Sequence, residues 1–215
     1  MKIPATLVAS NAEDAGAFYD ELKSKEFRVI YKQVRDVDGI GHYTREFLDA
    51  DIERLEQVSK SPVIFQQKIE GGCDVRVVVI GREVFAMSQT PDENVTVPDI
   101  RLHHEAKNRS ISIPEEVKGP LLRLQRALDI ECCAYDFMVD SEDTWFFIEA
   151  NPSGQWLFVE EQTGQPLSEC FAHLLLHGNT DLFQPSQNPY TVEDLVRMGE
   201  SLDKGAFDRA LSLPS

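Results

Sequence analysis

A chain of 215 residues with 42% hydrophobic and 27% charged side chains carries enough apolar material for a substantial core, as one domain or two closely associated lobes. Its formal charge of -16 excludes a general grip on the nucleic-acid phosphate backbone, which needs clustered cations. No apolar run approaches the roughly 20 residues that span a bilayer, and Met1-Lys2-Ile3-Pro4 holds no apolar signal core, so a cytoplasmic protein without membrane contact is expected.

Strands and helices alternate along the chain. Thr6 to Ala9 reads as a short extended segment, after which Asn11 caps a helix with Glu13 and Asp14 in its first turn and Ala15, Phe18 and Leu22 on one face. Arg28 to Val34 reads as a strand. Asp36-Val37-Asp38-Gly39-Ile40-Gly41-His42 is a glycine-containing turn, and Thr44 is expected to cap a second helix carrying Phe47, Leu48, Ile52 and Leu55 inward. A break at Ser59-Lys60-Ser61-Pro62 closes this small first lobe. A strand Val63 to Ile69 follows, then Gly71-Gly72 and a hairpin of Val75 to Ile80 and Glu83 to Met87 around Gly81-Arg82. Thr90 to Ser110 lacks strong periodicity and reads as a polar loop with short strands. Pro114 suits the first turn of a helix whose Val117, Leu121, Leu124 and Leu128 share one face.

Beyond that helix, Tyr135 to Val139 and Trp145 to Asn151 flank a short acidic turn, and both flanks have the aromatic and β-branched content of paired strands. Centring the turn on Glu142 and Asp143 pairs Asp140 with Trp145 and sets Asp136 opposite Glu149. Opposed residues have Cβ atoms roughly 4.5–5.5 Å apart, where two carboxylates repel unless a cation or proton lies between them. Asn151 returns to the Glu149 side two residues later. Two carboxylates and an amide oxygen suit Mg²⁺ with water and phosphate completing the shell; an exposed acidic hairpin face is the alternative. Leu167, Cys170, Phe171, Leu174 and Leu175 mark a further amphipathic helix ended by His177-Gly178. Asn179 to Asn188 is linker-like, and Thr191 opens a last helix with Val192, Leu195 and Val196. Cys73, Cys132, Cys133 and Cys170 form no Cys-x-x-Cys pair, so neither a zinc site nor a disulfide framework is expected.

Three further features bear on a phosphate site. Lys32 shares a strand face with Ile30 and Val34, next to the glycine turn, either holding phosphate oxygens or covering apolar surface with its stem. Arg76 lies inside an apolar strand two residues after Asp74, either pairing with that acid or clamping a phosphoryl group. The run Phe65-Gln66-Gln67-Lys68-Ile69 sits where the first lobe gives way to the second, and its backbone suits the edge of an adenine.

In order, Val29-Ile30-Tyr31-Lys32, the glycine turn, Phe65 to Ile69, Asp74-Val75-Arg76, Tyr135-Asp136-Phe137 and Glu149-Ala150-Asn151-Pro152-Ser153-Gly154-Gln155-Trp156 resemble the motifs of an ATP-grasp ligase. The resemblance covers roughly Ile3 to Leu176. It is nearest to maturases of ribosomally made peptides of the microviridin or graspetide type, through Asn151 to Trp156, Glu161-Gln162-Thr163-Gly164 and Asp99-Ile100-Arg101. It implies an α+β fold of two lobes with mainly antiparallel sheets and nucleotide between them: residues 1–62 as the small lobe, 63–178 as the large lobe, and 179–215 as a C-terminal tail. It implies ATP and Mg²⁺, with Lys32 on the phosphates, Gln66, Gln67, Lys68 and Ile69 lining the adenine slot, and Arg76 facing the γ-phosphate. Asp136, Glu149 and Asn151 would bind the metal, and Asp99 and Arg101 would contact substrate.

The implied reaction activates a carboxylate as an acylphosphate and passes it to an amine or hydroxyl, giving an amide or ester on a precursor peptide. A small-molecule carboxylate-amine ligase and a non-catalytic nucleotide-binding partner subunit are the other readings. The sequence departs from the family pattern in three places. Lys68 stands where an aromatic is common, Gln67 where an acid is common, and the usual preceding α/β domain is not ahead of Met1, so a natural short form, a split enzyme with a separate N-terminal domain or partner chain, and a shortened piece of a longer protein are the expectations.

Overall fold

Asn11 does what its position promises: its side-chain oxygen accepts the Asp14 amide at 2.8 Å and starts helix α1, Ala12–Ser24, whose Ala15, Tyr19 and Leu22 are buried. A computed structural model of the chain describes residues 1–34, 43–91, 99–100, 106–187 and 197. In it α1 lies on a four-stranded antiparallel sheet of Thr6–Ala9 (β1), Val29–Gln33 (β2), Arg45–Phe47 (β3) and Val63–Gln67 (β4), in the order β1-β4-β2-β3. Tyr19, Val29, Phe47 and Phe65 form its core, with Tyr19 and Phe65 each edge-on to Phe47.

Two expectations change here. Thr44 caps no helix: Arg45–Phe47 pairs with β2, and a 3₁₀ stretch begins only at Asp49, running to Lys60. Cross-strand pairing overrides the local cap signal. Phe47 is buried from a strand, Leu55 and Val58 from the 3₁₀ turns, while Leu48 and Ile52 are exposed. Val63–Gln67 completes the first sheet, so the change of sheet falls after Gln67.

The second sheet is also antiparallel and contains Cys73–Ile80 (β5), Glu83–Thr90 (β6), Lys107–Ser110 (β7), Cys132–Val139 (β8) and Trp145–Asn151 (β9), in the order β7-β6-β5-β8-β9. Alternation along β5 sorts its two faces. Val75, Val77 and Val79 meet helix α2, Glu115–Ala127, through Val117 and Leu121. Val78 and Ile80 meet α3, Leu157–Thr163, and α4, Leu167–His177, through Val159, Leu167, Cys170 and Leu174. Pro114 is the N-cap residue of α2, one position before the expected first turn, and Leu128 is the exposed C-cap. Leu175 is exposed as well, one residue step around α4 from the buried Leu174. Helix α3 was not expected from periodicity; at seven residues it is too short to show one.

The segment after α4 is docked. Thr180 is buried, its hydroxyl accepts the Arg82 amide at 2.9 Å, and Phe183 packs against the α3–α4 core. The linker expected from Asn179 is therefore part of the folded body as far as residue 187. The helix expected from Thr191 lies outside the described residues. The two sheets are stitched by Lys2, whose amide donates to the Trp145 carbonyl at 2.9 Å and whose carbonyl accepts the Phe147 amide at 2.8 Å. No helix among the described residues is long and apolar enough to cross a membrane.

Candidate functional site

The β8–β9 hairpin places Asp136 opposite Glu149, by a route the regular count does not contain. Next to the turn the ladder is Val139 with Trp145, Met138 with Phe146 and Phe137 with Phe147. The expected pairing of Asp140 with Trp145 is thus off by one. Between Phe137 and Asp136 the register shifts, and Ile148 is the extra residue of a β-bulge. Beyond it Asp136 faces Glu149, and Ala134 faces Asn151. The bulge also resolves a conflict in the sequence. Strict alternation would put Trp145, Phe147, Glu149 and Asn151 on one face. Instead Trp145 and Phe147 pack edge-to-face with Phe137 in the α2-side core, while Glu149 joins Asp136 on the opposite face.

Arg76 is the cross-strand partner of Asp136 on β5. Its Nη1 donates to both carboxylate oxygens, at 2.6 and 2.8 Å, and its Nη2 to the Gln155 carbonyl at 2.7 Å. The guanidinium lies 5.8 Å from the centre of the Phe158 ring. The ion pair of Arg76 is with Asp136, a partner the sequence reading did not name. Gly154 makes this possible, since a Cβ there would come within 3.0 Å of Arg76 Nη2, Asn151 Cγ and Ala134 Cβ. Glu149 is exposed to water but surrounded by protein groups. Burial, then the Asp136 charge and a hydrogen bond to Asp136, hold its carboxyl above the ordinary 4.5, against the pull of Lys32 and Arg76.

The influence of Lys32 on Glu149 reaches across from the first sheet. Lys32 pairs with Ile64, and Ile30 with Gln66; these residues occupy the face of that sheet turned away from α1. Gln66 is buried and donates to Thr6 Oγ1 at 2.8 Å. Gln67 and Lys68 donate their amides to the carbonyls of Ala5 and Arg28, both at 2.8 Å. The Ile69 amide makes no backbone hydrogen bond among the described residues, and its side chain is buried. The Lys68 ammonium turns to Glu46 and Glu70, at 3.3 and 3.7 Å, with Arg28 bound to the same two acids. Asp99 is buried and accepts the Thr44 amide at 3.0 Å. Arg101 and the glycine turn lie outside the described residues.

A family profile described as the RimK-like ATP-grasp domain matches residues 1–174. The chain belongs to that family. Solved structures show the same fold. The macrocyclase MdnC of Microcystis aeruginosa MRC, bound with precursor peptide MdnA, is 21% identical at a TM-score of 0.71, covering 82% of this chain and 56% of its own. An ATP-grasp ligase associated with ribosomally made, modified peptides in Chryseobacterium gregarium, in complex with ADP and a leader and core peptide, is 26% identical at 0.71, covering 82% and 55%. The ATP-grasp ligase PsnB, complexed with a precursor variant, Mg and ADP, is 25% identical at 0.65, covering 82% and 52%. This chain therefore spans about half the length of each.

For an ATP-grasp domain the question is whether these residues fit a metal ion. No group of three or more His, Cys, Asp or Glu side chains among the described residues is arranged to hold one. The donor set is smaller, two opposed carboxylates and the Asn151 amide. A hard cation fits it, because Asp136 and Glu149 are directly opposed on neighbouring strands, and water and phosphate oxygens can complete a Mg²⁺ shell. Sequence reasoning missed the Gln155 carbonyl, Phe158 and Glu46. A carbonyl has no side-chain signature, and Glu46 declares itself only once β3 is known to be a strand.

Proposed function

We propose that this chain is the nucleotide-binding and catalytic part of an ATP- and Mg²⁺-dependent ligase that joins a carboxylate of a ribosomally made precursor peptide to an amine or hydroxyl. The observation that carries this reading is the opposition of Asp136 and Glu149 beneath Arg76, within the electrostatic reach of Lys32. The peptide substrate is supported by the precursor peptides bound to MdnC and to the C. gregarium ligase, and the cosubstrates by the ADP and Mg bound to PsnB.

In this reading ATP supplies a phosphoryl group that makes the carboxylate a good electrophile, and Mg²⁺ offsets charge on the phosphates. Asp136, Glu149 and Asn151 hold the metal, and Lys32 the phosphates. Gln66, Gln67, Lys68 and Ile69 form the adenine end. Since the Gln67 and Lys68 amides are engaged by the sheet, the Ile69 amide is the donor of that run best placed for the base. The Lys68 side chain is held by Glu46 and Glu70. Arg76 faces the transferring group. Arg101 is a substrate contact, and the buried Asp99 holds the amide of Thr44.

Thermal unfolding with and without Mg²⁺ and ATP tests the nucleotide site. At about 100 times the dissociation constant, ligand linkage adds roughly 2.7 kcal/mol, a rise of about 5–11 °C for a chain of this length. The rise is expected to require Mg²⁺ and to disappear in Glu149→Gln; no rise in a cooperatively folding protein refutes the site. Glu149→Gln is the cleaner variant, because Asp136→Asn also strips Arg76 of its counter-ion. Turnover with small carboxylates and amines but not with acidic peptides would reassign the substrate.

A further inference from the structure

Arg76 holds the carboxylate that the proposed metal needs. Both Asp136 oxygens accept from the same Nη1, the Gln155 carbonyl fixes Nη2, and Phe158 lies against the guanidinium. Its Nε is buried without a partner among the described residues. A free divalent ion thus meets an Asp136 carboxylate whose charge is already offset by the bound guanidinium. A carboxylate can accept up to about four hydrogen bonds or ligands, so Arg76 does not block the metal; it weakens the attraction for it. Phosphate oxygens recruit a guanidinium readily, through the same paired donors that now serve Asp136 and Gln155.

Resting on the nucleotide reading above, we propose that Arg76 is the resting counter-ion of the metal site, neutralising Asp136 until nucleotide phosphates take over the guanidinium. Metal and nucleotide then bind cooperatively, and metal alone binds weakly. Coupling between ligands is reciprocal, so the nucleotide tightens the metal by the same factor as the metal tightens the nucleotide.

The experiment is titration of the full chain with Mn²⁺, followed by electron paramagnetic resonance, with and without a non-hydrolysable ATP analogue that keeps the γ-phosphate. In the wild type, the analogue is expected to tighten Mn²⁺ by at least about tenfold. In Arg76→Gln, Mn²⁺ without the analogue is expected to bind at least about tenfold tighter than in the wild type, with the enhancement by the analogue reduced. Mn²⁺ binding that is unchanged or weaker in Arg76→Gln overturns the proposal. So does a wild type that binds Mn²⁺ equally with and without the analogue, a comparison that stands even if Arg76→Gln fails to fold. Absence of analogue binding in every form removes the nucleotide reading itself, which is a different result from analogue binding without coupling.

Discussion

Glu46 is the residue whose surroundings make the plainest demand on solution behaviour. Burial alone would raise its carboxyl, but hydrogen bonds from Arg28 and Lys68 and the charges of both bring it below the ordinary 4.5. A depressed carboxylate contributes stability that is fully present above its unfolded value and is lost as pH falls through the folded one. The contribution of Glu46 is therefore lost below about pH 4.5. Glu46→Gln should make acid unfolding shallower in that window and lower stability at neutral pH by about 1–2 kcal/mol, a range discounted because Arg28 is half exposed. Urea melts at pH 7 and pH 4 measure both; an unchanged pH slope removes the assignment. Residues of this kind were poorly legible in the sequence. Lys32, Asp136 and Glu149 announced themselves as charges inside apolar strands, whereas Glu46 looked like one acid among many.

At the scale of elements, the second sheet depends on its turns. Gly72 has φ +75°, and a Cβ there would sit 1.7 Å from the Val139 carbonyl oxygen, where β5 begins beside the end of β8. Gly72→Ala is expected to destabilise by more than about 2 kcal/mol, since both the positive φ and the collision act against it. Thr180→Val keeps the shape but leaves the Arg82 amide without its acceptor and should cost about 1–3 kcal/mol. Chemical denaturation reads either value, and a loss below 0.5 kcal/mol, the level of an ordinary surface substitution, would mean the segment at 180 is not a clasp. Elements with their own periodicity, α1, α2, α4 and the β5–β6 and β8–β9 hairpins, were readable in advance. Arg45–Phe47 was not, because three residues become a strand only through β2, and the Thr180 clasp was not, because it joins positions 98 residues apart in sequence.

For the molecule as a whole, Lys2 is the link to examine. It joins the chain leading into β1 of the first sheet to the outer edge of β9, the strand that carries Glu149 and Asn151. Removing residues 1–3 should leave all three hydrophobic cores intact, since none of these residues belongs to any of them, but deprives the Phe147 amide of its acceptor. Hydrogen exchange at Phe147 is expected to accelerate while exchange in β5 is unchanged. Equal exchange in the full and shortened chains would show that the lobes are held together by other contacts.

The bulge at Ile148 makes the hairpin unusually forgiving of one particular change in length. A β-strand normally cannot lose a residue, because every side chain beyond the gap turns to the wrong face. Here the surplus residue is already present. Excising Ile148 would continue the turn-side ladder of Val139 with Trp145 straight into Asp136 opposite Glu149, with the aromatics still on the core face. Excising Ala150, two positions later, would carry Asn151 towards Tyr135 and the core. A homologue or engineered variant one residue shorter at Ile148 can therefore keep its carboxylate pair, and one shorter at Ala150 cannot keep its amide beside them.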